Sequence, residues 1–146
     1  MPQFGLPRRH ALCAAAFVAV GATRPSRASE ATHPIDRWFQ EAEAMRKLAV
    51  SWGDQSYGAV LVLEETVVGF GPSRVVKDRN PDAHAERVAI LNAQQKLGRD
   101  DLSGTVLYST SRPCSLCEQA ATQAKVSRMY FGPGLADGGK PSFVAR

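Results

Sequence analysis

Two short stretches, PDAHAE at 81–86 and PCSLC at 113–117, each stand at the head of a helical pattern, with one strand-like run between them. That order constrains the fold more than any other feature of the chain. Val88, Ala89, Leu91 and Ala93 supply much of the apolar face of a helix predicted from Ala83 to Lys96, with Asp82 as its cap. CSLCEQAATQAK at 114–125 predicts a second helix, and GTVLYST at 104–110 predicts the strand between the two. If the strands that feed these helices run parallel, both helices start at the same edge of one sheet. His84, Cys114 and Cys117 then converge at that edge.

The remaining pattern fits such a sheet. PIDRWFQEAEAMRKLAVSW at 34–52 has apolar residues at helical spacing, and Pro34 suits a first turn. YGAVLVLEETVVGFG at 57–71 reads as an antiparallel hairpin turning at Glu64-Glu65, and SRVVKDRNPD at 73–82 as a loop. VSRMYFG at 126–132 predicts a fourth strand; beyond Gly132 the pattern fades. A hairpin followed by β-α-β-α-β order implies an α/β fold, a three-layer α/β/α sandwich with a mixed central sheet.

Two cysteines three apart at a helix start face the same way. The positive end of the helix favours their thiolate forms, which are the forms that bind metal. Taken alone, a Cys-x-x-Cys reads equally well as a disulfide, and a His-x-Glu at a helix start as a solvated surface pair. Together they point to zinc. One histidine and two cysteines make three protein ligands and leave a fourth tetrahedral position for water, the form of a catalytic site. Zinc brings the pKa of such a water close to neutrality. A carboxylate beside the metal could then carry protons, and Glu86 is the matching candidate. The backbone N–H of Cys114 is the candidate oxyanion donor.

Charge narrows the partners. Residues 1–28 hold Arg8, Arg9, Arg24 and Arg27 and no acid, so 14 of the 18 Lys and Arg remain to face all 14 Asp and Glu. The body is therefore neutral, which argues against a nucleic-acid partner. The leader itself reads as an address: a basic start with adjacent Arg8 and Arg9, an apolar stretch at 11–22 too short to span a bilayer, and small residues Ser26 and Ala28 before a cut. It resembles a twin-arginine signal, which predicts export to a bacterial periplasm and no membrane attachment after removal. Residues 29–33 then form a linker and 34–146 the domain. Neither Cys13 nor His33 is given a role.

HAE with PCSLC resembles the cytidine and deoxycytidylate deaminase superfamily, over roughly residues 57–132. YGAVLV is similar to that family's first strand, and the guanine deaminase and tRNA adenosine deaminase branch carries a stretch similar to NPDAHAE. The resemblance implies a cytidine deaminase-like fold, Zn²⁺ held by His84, Cys114 and Cys117, Glu86 as proton shuttle, and Ser73 and Ala85 on the substrate side. Three departures bear on the substrate. Ser73 stands where relatives have an Asn that reads the base edge, Arg112 replaces an acid before Pro-Cys, and the chain stops soon after Gly132. The expected activity is hydrolytic deamination of a free nucleobase or nucleoside. The alternatives are a tRNA adenosine deaminase and a zinc-binding relic without turnover. A homodimer stays open.

Overall fold

The computed structural model describes residues 34–143. The expected leader and linker, with Cys13 and His33, lie outside the described residues. Eight elements follow in order: helix α1 (Pro34–Ser51), strands β1 (Gly58–Leu63) and β2 (Thr66–Pro72), helix α2 (Ala85–Leu97), strand β3 (Thr105–Ser109), helix α3 (Ser115–Gln123), and strands β4 (Arg128–Phe131) and β5 (Ala136–Gly139). The sheet order is β2-β1-β3-β4-β5.

β1 runs antiparallel to both of its neighbours, pairing Val60 with Phe70 of β2 and with Tyr108 of β3. β2 and β3 therefore point the same way. Because α2 follows β2 and α3 follows β3, both helices begin at one edge of the sheet, as the order of motifs required. β3 and β4 are parallel, and β4 pairs antiparallel with β5. The predicted hairpin turn is present, with Glu64 in the left-handed region at φ 54°.

Alternation along β1 sends Ala59 and Leu61 to one core and Val60 and Val62 to the other. The first core packs under α2 and α3, with Ala85, Ala89, Ala93 and Ala121 in it. The second packs under α1, around Ala42, Trp38 and Met45. The three layers follow. Two glycines permit the contacts: a Cβ on Gly71 would lie 2.0 Å from the carbonyl oxygen of Ala85, and one on Gly58 would lie 2.2 Å from that of Ala42.

Several expectations need correction. α2 starts at Ala85 with His84 as its cap, two residues later than predicted, and Asp82 does not cap it. The chain first turns at Asn80–Ala83, where Ala83 N–H donates to the Asn80 carbonyl at 3.0 Å. Asp82 instead pairs with Arg87 at 2.7 Å. Leu91, expected on the apolar face, is 58% exposed, and the buried face is Ala85, Ala89, Ile90 and Ala93. The close strand–helix approach selects small residues there, whatever the hydrophobic count suggests. α3 ends at Gln123, before Lys125 takes φ 60°. β5 was not foreseen. ADGG has little strand propensity; a turn closed by Leu135 N–H on the Gly132 carbonyl and a pair between Arg128 and Asp137 hold it against β4. Among the described residues, no helix is long and apolar enough to cross a membrane.

Candidate metal and catalytic site

Both helix starts at the shared edge are metal-ligand candidates. His84 is the N-cap of α2 in extended backbone, and its side chain makes no capping bond, so the ring is free to turn away from its own helix. Cys114 caps α3, and its sulphur accepts the Cys117 backbone N–H at 3.4 Å. Cys117 lies one turn on and is buried, whereas Cys114 is exposed. His84 Nδ1 is 3.5 Å from each sulphur, and the sulphurs are 3.3 Å apart as free thiols.

A triangle with edges of 3.3–3.5 Å is one face of a tetrahedron whose centre lies about 2.1 Å from each corner. Zinc–nitrogen and zinc–sulphur bonds are about 2.0–2.3 Å, so the donors match Zn²⁺ in size as well as in chemistry. These three residues are the group among the described residues whose ligand atoms could hold a metal together. Burial, and then the charge of neighbouring Glu86, push the Cys117 thiol well above its ordinary pKa. A cation between the sulphurs reverses that balance by favouring the thiolate. The site is built for a positive guest.

Glu86, in the first turn of α2, is 4% exposed. Its Oε1 accepts the hydroxyl of fully buried Ser109 at 2.7 Å. Glu86 lines a cleft of ≈ 240 Å³ whose walls also include His84, Ala85 and Cys114, with Gln55, Tyr57, Ser111 and Arg112. That size is below the range of about 300–1,000 Å³ common for ligand pockets, which suits one small planar ring. Arg112 also lies 5.8 Å from the Phe131 ring centre, close enough for a cation–π contact.

The structure thus brings His84, Ala85, Glu86, Cys114 and Cys117 together. Ser73 is not in the cleft wall. It is fully buried, and its hydroxyl donates to Asp54 Oδ1 at 3.0 Å. Asp54 also accepts the backbone N–H groups of Val76 and Lys77 at 3.0 and 2.8 Å, tying the 73–80 loop to the segment that carries Gln55 and Tyr57. Burial pushes the Asp54 carboxyl up, but hydrogen bonds from Lys77, Gln55, Ser73 and Val76 outweigh it and hold the pKa below its ordinary value. Sequence reasoning missed Ser109, Gln55, Tyr57 and Ser111. The hydroxyl-rich YSTS run before Arg112-Pro113 was the available signal for two of them.

The family model for the cytidine and deoxycytidylate deaminase zinc-binding region matches residues 33–133. A tRNA-specific adenosine deaminase of Buchnera aphidicola subsp. Baizongia pistaciae is 35% identical over 101 residues, 68% of this chain and 62% of that protein. The chain therefore spans less than two thirds of that relative. A tRNA-specific adenosine deaminase of Agrobacterium fabrum is 38% identical over 111 residues, 76% of this chain and 70% of that protein. The crystal structure of guanine deaminase from Bacillus subtilis superposes with a TM-score of 0.64 at 28% identity, covering 66% of this chain and 62% of that one.

Proposed function

Since this chain belongs to the zinc-binding cytidine and deoxycytidylate deaminase family, we propose that it is a hydrolytic deaminase that exchanges a ring amine of a nucleobase for oxygen and releases ammonia. One observation carries the reading: His84, Cys114 and buried Cys117 form a zinc-sized triangle, and His84 and Cys114 line a cleft that Glu86 also lines. Zinc, when bound, supplies a nucleophile from water at neutral pH.

The chain's own groups do the rest. His84, Cys114 and Cys117 would hold the metal at the meeting of two helix starts, the cysteines as thiolates. Glu86, shielded from bulk water, would take one proton from the attacking water and pass it to the ring nitrogen, then take the second from the added hydroxyl and pass it to the amine, which leaves as ammonia. The backbone N–H of Cys114 is assigned to the developing oxyanion. Ala85 forms part of the wall, and half-exposed Tyr57 offers an aromatic face to the ring. Ser73 is assigned to the substrate side through Asp54, which fixes the segment bearing Gln55 and Tyr57.

We assign the substrate as a free base or nucleoside, supported by the small cleft and by a body without basic excess. A second reading, deamination of adenosine in tRNA, is supported at least as well by the relatives, which are named for that reaction. Ammonia release by the zinc-loaded protein from guanine, adenosine, cytosine, cytidine and a tRNA transcript separates them. Release from small molecules alone supports the first reading, and release from tRNA alone the second. No release from any of them contradicts the proposed activity.

A further inference from the structure

We infer that Ser109 is a positioning residue that holds one oxygen of Glu86 and so keeps this carboxylate a proton carrier, outside the metal's ligand set. The inference rests on the metal reading above. Carboxylate oxygen is an ordinary zinc ligand, and a Glu within reach of three other donors is a natural fourth. Glu86 follows His84 by two residues in the first turn of α2 and lines the same cleft as His84 and Cys114. Yet the atoms that gather within 4.8 Å of one another are those of His84, Cys114 and Cys117, without Glu86.

Ser109 accounts for this. It ends β3, where pairing with Ala59 of β1 and Phe131 of β4 fixes its backbone on both sides. A hydroxyl has one proton to give, and Ser109 gives it to Glu86 Oε1 at 2.7 Å, an ordinary hydroxyl–oxygen length. The Ser111 backbone N–H, at 3.5 Å, approaches the same hydroxyl from the cleft loop and favours the orientation that points the proton at Glu86. One carboxylate oxygen is thereby committed to the strand. The other is not held by Ser109, and the side chain that carries it lines the cleft.

The test loads the protein with Co²⁺, whose visible absorption is intense with four ligands and weak with five or six. Parent, Ser109→Ala, Ser109→Thr and Ser109→Val are compared, together with Ser109→Ala in a Glu86→Gln background. Losing the hydroxyl should free Glu86 to join the metal, which moves the band positions if it displaces water as the fourth ligand and lowers the absorption several-fold if it adds as a fifth. Thr should keep the parent spectrum and Val should lose it, a comparison at constant volume that holds even if the Ala variant folds poorly. In the Glu86→Gln background Ser109→Ala should change little, because an amide is a poor ligand. A merely structural Ser109 would shift the melting temperature and leave all these spectra alike; that result overturns the inference while the metal reading stands. Failure of the parent to bind Co²⁺ overturns both.

Discussion

The two faces of the sheet are packed by different means. Under α2, alanines 85, 89 and 93 lie against Gly69 and Gly71, where an added Cβ would meet backbone or a helix Cβ at 2.0–2.9 Å. Under α1, apart from the approach over Gly58, larger groups fill the space: Trp38, Met45, and Tyr108 stacked on Tyr130 with ring centres 5.4 Å apart. Large side chains can shift rotamers to absorb a change. A backbone-to-backbone contact cannot, so the α2 face fixes where its helix begins, and His84 sits at that beginning. The chemistry stands on the face with the least freedom.

Four substitutions sharpen or break this contrast. Glu86→Gln, on the α2 face, should keep zinc and fold while turnover falls by a factor on the order of 10²–10⁴; parental turnover would move the proton transfer to another group. Gly71→Ala should cost about 2–3 kcal/mol in urea unfolding, because its Cβ meets Ala85, and should weaken zinc binding by displacing His84. Unchanged zinc affinity would uncouple the strand–helix contact from the site. Val60→Ala, fully buried on the α1 side, should cost about 2 kcal/mol, two methyl groups at about 0.8 each plus some cavity, with zinc content unaltered. Loss of zinc there would erase the difference between the faces.

The smallest effect is expected at Ser73→Ala, roughly 0.5–1.5 kcal/mol for one hydrogen bond to Asp54. Its pH dependence has a definite sign. Asp54's folded pKa is depressed, so its tie to the loop is fully present above the ordinary carboxylate value of about 3.9 and is lost as pH falls further. The stability difference between Ser73→Ala and parent should thus hold at neutral pH and shrink in acid. A difference that grows in acid would show that Ser73 does not act through Asp54.

What the sequence made legible was whatever local pattern and motif order determine. The hairpin at Glu64-Glu65, the three helices and the convergence of His84, Cys114 and Cys117 follow from turn residues, periodicity and the direction of β2 and β3. The α2 face departs from the sequence pattern because hydrophobicity favours Leu91, while contact with Gly69 and Gly71 demands alanine. β5 was invisible because its pairing depends on a turn and on Asp137 rather than on its own residues. Ser109 and the Asp54 tie were invisible for a related reason. Each depends on partners 19 or more residues away that share no motif with it.

Zinc content per chain tests the central claim most directly. The purified protein should hold about one zinc, and His84→Ala, Cys114→Ala and Cys117→Ala should each lose it along with much of their thermal stability, since the metal ties two helix starts together. Full zinc in all three variants would contradict the account.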